Sequence, residues 1–479
     1  IGLEHPLILY GSGAPLLLSD LNGNDVVGSL GWWLRLYWGG IAVLLGALAH
    51  LIWPRGIETG LSLRLKRLPS AFVSKAGALG AVGAAVSLAV GTFLFGQMNL
   101  ENSYLTSEDN RRLNAEYEKR YLQYASLKQP SLTDVTLNVD IYPEERRLEA
   151  SGRFDLINDT GAPVEVIHLR MTDDDSELLE VGFEGAVLES NDETYQYRIY
   201  RLHTSLAPDA TTSLTFKTRR WQKALAADGY DTRLVKNGTF LRMTSFAPQI
   251  GMSKRGLLSD RAARRRYDLP PELRPAKLDD DRGRERNYAG NVDWVNSDIT
   301  ISTAADQVAI APGTRVSDFV DGDRRIARFR STAPILNRFS IQSARYELAE
   351  QRSDGVDLQV YFDPQHPYNV ERMLDAMAQS LRYYRANFGP YQFDHARIVE
   401  FPGYRRYAQA FAGTVAYSES IGFLANLSDP GSVDYVTYVT AHEIAHQYWA
   451  NQLMAADLQG ATLLIETLAQ YSALLVMKE

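Results

Sequence analysis

Two apolar stretches near the start of the chain leave little choice of surroundings. The first, "WWLRLYWGGIAVLLGALAHLIW" (32–53), carries a single charge, Arg35, and has Trp at both ends. The second, "AGALGAVGAAVSLAVGTFLFGQM" (76–98), carries none. At about 1.5 Å per residue in a helix, each is long enough to cross a hydrocarbon layer of roughly 30 Å. Trp32, Trp33, Trp38 and Trp53 suit the interfacial belts of a bilayer, and Arg35 can reach outward to the headgroups. A pair of buried core helices is the alternative, but uncharged runs of this length are rare in water-soluble domains. A cleaved signal peptide fits less well, because there are two segments and the first follows a lead of 31 residues. Two transmembrane α-helices are therefore expected within residues 1–100.

The connection between them, "PRGIETGLSLRLKRLPSAFVSK", sets Arg55, Arg64, Lys66, Arg67 and Lys75 against Glu58. The positive-inside rule makes it cytoplasmic, which puts everything beyond about Asn99 outside a bacterial inner membrane, on the periplasmic side. Gly77, Gly80, Gly83, Ala84 and Gly91 give the second span a small-residue face for a neighbouring helix. That pattern suits the tail of a multi-pass bundle. The chain starts at Ile1 and stops at Glu479 inside the apolar run "TLAQYSALLVMKE", so it is expected to be part of a longer polypeptide.

The 479 residues suggest two to four domains. A net charge of −8 argues against a nucleic-acid partner, and the absence of cysteine excludes disulfides, thiolate metal ligands and a cysteine nucleophile. Residues 107–130 predict an exposed helix with a Leu113, Tyr117, Tyr121, Tyr124 stripe, read as a helical spacer within 101–130. From Ser131 the period changes to two: Val135, Leu137, Val139 and Ile141 alternate, as do Leu148, Ala150, Gly152, Phe154 and Leu156 after the "PEERR" turn. Such runs recur as far as Leu348 and predict an antiparallel β-sandwich over 131–355. The segment 261–286 alternates in charge and reads as a solvated loop. Residues 356–479 mix strands and helices. Met373, Leu374, Met377, Leu381 and Tyr384 share one helical face, and His395 lies on a strand as a structural residue.

The chemistry concentrates in "YVTAHEIAHQYWANQ" (438–452). His442 and His446 are four apart, hence on one helical face, and can hold one metal ion through two imidazoles. Glu443 stands at the flank of that face, placed to move a proton and not to ligate. A third ligand is required, and Glu466, in "GATLLIETLAQYSALL", falls where a short loop and a return helix bring it back. Zinc so held keeps one position open for water.

"HEIAHQYWANQ" followed by "IETLAQY" resembles the aminopeptidase N family of gluzincin metallopeptidases, whose motif reads HELAHQW(F/W)GN with a later NE(G/S)(F/L)AxY. "FGPYQFD" and "GTVAYSES" extend the likeness upstream. The two spans, "AEYEKRY" and "LTDVTLNVDIYPEERRLEASGRFDL" resemble bacterial ABC-type permeases fused to such a domain. The resemblance implies a thermolysin-like α/β zinc-peptidase domain over 356–479, truncated at its C-terminus. It implies one Zn2+, a peptide substrate, contact with membrane lipid, and a separate ATP-binding-cassette ATPase subunit. That subunit would be needed because no G-x-x-x-x-G-K-[ST] string occurs in this chain.

Departures from the family pattern bear on activity. The interval between His446 and Glu466 is one residue longer than is usual in the aminopeptidases and matches thermolysin-like enzymes. The family's GAMEN glutamate, which grips the substrate amine, should fall near 407–411. There the chain reads "YAQAF", with Gln409 or Ala410 at the acid's place. Gln409, Ala410, Gly413 and Glu419 are carried as substrate-binding candidates, with Glu400 a second possible substitute for the missing acid. The leading expectation is a membrane-tethered zinc aminopeptidase-like hydrolase. The alternative is an inactive module that binds peptide or lipoprotein cargo for transport.

Overall fold

The computed structural model describes residues 4–11, 18–23, 25–54, 62, 73–102, 104–222, 225–227, 231–271, 274–284, 287–290, 292–429 and 431–479, with 25–29 and 282 described for their backbone alone. The chain divides into two units, one of residues 1–18, 23–110 and 223–231, the other of 19–22, 111–222 and 232–479.

In the first unit the apolar runs form the helices Asp25–Ile52 and Lys75–Phe95, the latter continuing through a π-helical turn, Gly96–Glu101. Both are long and apolar enough to cross a membrane. They pair closely because glycine lets them. A Cβ on Gly83 would lie 2.6 Å from the Gly40 carbonyl, and one on Gly80 would lie 2.9 Å from Ala47 Cβ. Gly77, Gly80, Gly83, Ser87, Val90 and Leu94 form the buried face of the second helix. Leu79, Val82 and Leu88 on the other faces are more than half exposed, as lipid-facing side chains are. Arg55, Glu58, Arg64, Lys66 and Arg67, on which the membrane orientation rests, lie outside the described residues.

In the second unit, the alternating run becomes the strand Ser131–Tyr142, with Val135, Leu137, Val139 and Ile141 at 1% exposure or less. Each such side chain contributes about 1.5–3 kcal/mol by leaving water. It sits inside a large sheet ordered Thr314–Asp321, Arg324–Arg330, Trp294–Ala304, Ser131–Tyr142, Arg147–Ile157, Thr211–Trp221, Ser176–Gly182. A four-stranded sheet (Ala186–Asp192, Tyr197–Leu206, Val164–Arg170, Gln249–Ile250) and a three-stranded one (Val308–Ile310, Ser340–Ala344, Thr239–Arg242) accompany it. The pairing is not wholly antiparallel, as the alternation had suggested. Ser131–Tyr142 and Trp294–Ala304 run parallel, with Val135 opposite Ser297.

Two segments expected to be solvated each bury a few residues. The helix Ser107–Tyr121 buries Tyr117, Glu118 and Tyr121, and Tyr121 stacks on Tyr197 at 4.1 Å. Arg264, inside the charge-rich segment, donates to both carboxylate oxygens of Glu118 at 2.9 and 2.6 Å, both side chains being 1% exposed. The same segment pairs its Ala276 with Leu458, and Gln459 N–H donates to Ala276 O.

A mixed five-stranded sheet follows, ordered Glu347–Ser353, Val356–Phe362, His395–Phe401, Thr414–Ser418, Ala408–Phe411. Its first strand pairs antiparallel with its second, so the sheet takes in residues before 356. The helix Val370–Asn387 buries Met373, Leu374, Met377, Leu381 and Tyr384, the face its periodicity predicts. Tyr384 Oη donates to Ala441 O at 3.0 Å, which braces the helix Tyr435–Ala445. The last helix, Leu468–Lys478, packs on that same helix.

Candidate metal centre

Asp434 caps the helix Tyr435–Ala445 by accepting from Thr437 N–H at 3.0 Å, and Val436, Thr440, Ala441, Ile444 and Ala445 anchor its inner face. His442 and Glu443 belong to its last turn and His446 ends it. The return arm starts at Gly460, whose φ of 89° suits only glycine, and then widens into a π-helical turn, Leu463–Thr467, that carries Glu466.

Three donor atoms converge. His446 Nε2 lies 3.1 Å from His442 Nε2 and 3.4 Å from Glu466 Oε2, and His442 Nε2 lies 3.7 Å from that oxygen. Ligands on a tetrahedral zinc at about 2.0–2.1 Å stand roughly 3.3 Å apart, so these spacings match one shared ion. The tautomer of His446 agrees. Its Nδ1–H donates to Trp449 O at 2.9 Å, and a carbonyl can only accept, so Nε2 of the neutral ring presents a lone pair. The residues fit zinc.

Glu443 is buried, with Oε2 unpartnered and the Ala410 amide directed at its carboxylate. Burial pushes its pKa up to about 7. Burial and the neighbouring His446 hold His442 down near about 4. His446 is raised on balance: burial pulls it down, but Glu466 and Glu443 outweigh that. His446 beside it lowers Glu466.

A cavity of about 500 Å3 opens over this centre. His442, Glu443, His446 and Glu466 line it together with Gln409 and Ala410 of the edge strand Ala408–Phe411. Neither Gly413 nor Glu419 is among its lining residues. Gly413 is instead a backbone junction: its N–H donates to Gln447 Oε1 at 2.9 Å, while Gln447 Nε2 donates to Phe411 O, tying the edge strand to the metal helix. Glu419 is buried beside His366 and Glu400. Its two oxygens accept from Gly403 N–H and Leu21 N–H, and those of Glu400 accept from His366 and Asp363 N–H. That cluster fastens residues 19–22 to the fold, and neither acid lines the cavity.

Three cavity residues have no local sequence signal. Arg242, Arg338 and Arg405 line the wall beside Tyr407 and Ala450. Arg242 lies on a strand in register with Ser340, two residues after Arg338, so sheet pairing alone brings the first two together.

No protein-family model matches the chain, and no curated protein matches its sequence. Solved structures do match in fold. The M1 zinc metallopeptidase from Deinococcus radiodurans superposes with a TM-score of 0.52 at 15% identity, covering 75% of this chain and 74% of that one. A mutant of that enzyme gives 0.51 at 16%, covering 73% of this chain and 71% of its own. A two-domain M1 zinc metallopeptidase mutant bound to L-arginine gives 0.51 at 16%, covering 75% and 74%. At such identity the likeness establishes the fold.

Proposed function

We propose that this chain is a membrane-tethered zinc metallopeptidase, aminopeptidase-like in fold, that hydrolyses peptides on the periplasmic side of a bacterial inner membrane. The observation that carries the reading is the convergence of His442 Nε2, His446 Nε2 and Glu466 Oε2 with mutual separations of 3.1–3.7 Å. Zinc bound by these residues supplies a Lewis acid for a peptide carbonyl and a water acidified to a pKa of about 7.

The protein's own groups do the rest. Glu443, with Oε2 free of partners and facing the cavity, takes the proton of the attacking water and returns it to the leaving amine. The edge strand Ala408–Phe411, paired on one side only, offers its free backbone edge to an extended peptide. His446 is held in its ligating tautomer by Trp449 O, and Trp449 is itself fixed by its Nε1–H to Ser472 Oγ at 3.0 Å.

The two apolar helices support the tether to lipid. Association with an ABC-type permease and a separate ATPase subunit rests on the sequence resemblance. A cargo-binding module is the second reading, favoured by the lack of an acid at Gln409 and Ala410.

Elemental mass spectrometry on the chain in detergent tests the centre. One zinc per chain is expected, lost in His446→Ala and kept in Glu443→Gln, with peptide cleavage abolished in both. Zinc without cleavage of any peptide by the unsubstituted chain favours the cargo module, and absence of zinc removes the metal reading altogether.

A further inference from the structure

The wall of the cavity carries a charge pattern that an amine-binding peptidase site should not have. Arg242, Arg338 and Arg405 line it, against only two acids, Glu443 and Glu466. Glu466 is committed to the histidines and Glu443 to proton transfer. None of the three arginines makes an ion pair or a side-chain hydrogen bond among the described residues. Arg338 and Arg405 are exposed, Arg338 within the field of Glu466, and whatever enters the cavity meets all three cations. Arg242 is half-buried, and a guanidinium part-removed from water with no anion beside it is costly until one arrives. Its planar fork matches a carboxylate edge-on, which a lysine would not.

A free α-ammonium placed here would meet like charge on the sandwich side of the cavity and, at Gln409 and Ala410, no acid on the other. A carboxylate would meet three cations lining one cavity. Arg242 and Arg338 come from the sandwich and Arg405 from the stretch between the strands His395–Phe401 and Ala408–Phe411, so the donors flank the cavity from two elements. The ligand arm takes part as well, since Arg338 and Glu466 interact electrostatically.

We propose that Arg242, Arg338 and Arg405 form a carboxylate-recognition subsite beside the metal centre, so that the preferred peptide presents an acidic side chain or a free C-terminus near the scissile bond. The inference rests on the peptidase reading for its cleavage step but not for its binding step.

Four peptides of one sequence separate the possibilities: Glu or Gln at the residue next to the cleaved bond, each with a free or an amidated C-terminus. Binding is read by fluorescence anisotropy on the zinc-loaded Glu443→Gln chain in detergent, and cleavage by mass spectrometry on the unsubstituted chain. The carboxylate peptides should bind tighter by about tenfold or more, as charge-assisted bidentate pairs do. The preference should fall in Arg242→Ala and Arg338→Ala and be partly kept in Arg338→Lys. Whichever carboxylate carries it, side chain or terminus, is the recognised group. An unchanged melting temperature in the Arg variants shows that folding is intact.

Equal binding of all four peptides, no binding of any, or a preference that survives both alanine substitutions overturns the proposal. Arginine-dependent binding with no cleavage of any peptide leaves the subsite standing and sinks the hydrolase reading. Cleavage indifferent to the carboxylate does the reverse.

Discussion

Ala450 stands in the cavity wall with a backbone φ of 131°, a region that a Cβ disfavours. The turn holds that shape because of what its neighbours do: Trp449 O takes the Nδ1–H of His446, and Asn451 Nδ2 donates to His446 O at 3.0 Å. Strain at such a position costs about 1–3 kcal/mol and persists where the surroundings over-determine it. Ala450→Gly should raise stability by about 1 kcal/mol after glycine's extra chain entropy is deducted, with zinc content unchanged. A rise of a few degrees in melting temperature checks it, and a fall would mean that the turn carries no strain. At this scale His442, Glu443 and His446 were legible because helical spacing alone puts them together. Glu466 came from the interval as well as the resemblance. Arg242 and Arg338 were not legible, since two arginines in β-rich sequence become neighbours only when Thr239–Arg242 pairs with Ser340–Ala344.

Among the elements, the helix Ser107–Tyr121 shows where a local pattern misleads. Its polar composition fits an exposed spacer, yet its docking depends on one side chain that composition cannot single out. Glu118 receives Arg264 in a pair fully removed from water, and Arg264 also donates to Leu258 O and Pro270 O. Removing one member leaves the other charged and buried, a loss of about 3–5 kcal/mol. Glu118→Ala should therefore lower the melting temperature and open residues 107–130 to limited proteolysis, while Glu118→Leu with Arg264→Met recovers much of the loss. No change in either readout would return the helix to the role of a free spacer. The strands Ser131–Tyr142 and Arg147–Ile157 were legible from strict alternation. Their directions were not, because the parallel pairing of Ser131–Tyr142 with Trp294–Ala304 is settled between segments far apart in sequence. The segment 261–286 is exposed at most of its described residues, as its charges predict, and buries Ala263, Arg264 and Leu269. Its Ala276 bridges Leu458, in the approach to Glu466, a contact no charge pattern announces.

Across the second unit, buried histidines and carboxylates set the response to acid. His168 and His395 are 1% and 5% exposed, and burial holds both down near about 4 from an ordinary 6.5. His395 belongs to the joint between the five-stranded sheet and the strands before it, where Asp394 meets Thr314 Oγ1 at 2.8 Å and Arg397 donates to Ala311 O and Gly313 O. As pH falls below 6.5 the unfolded chain takes up protons on these rings and the folded chain does not, so stability declines until about pH 4. Asp293 opposes them. Burial lifts it from 3.8 to about 6, so between those values the folded state binds its proton first and acidification stabilises. Glu400, which burial lifts from 4.5 to about 7, opposes them as well, so two rings and two carboxylates nearly cancel between pH 6 and 4.5. The stability of the zinc-loaded chain should change little across that window. Asp293→Asn should bring out a decline of about one proton's slope there and stabilise the protein at pH 7, because the carboxylate held against its preference is gone while an acceptor for Leu132 N–H remains. His395→Gln should remove about one proton's slope from the same window. A profile flat from pH 6 to 4, unmoved by either substitution, would mean that these groups reach water in the folded state and that the joint they occupy opens.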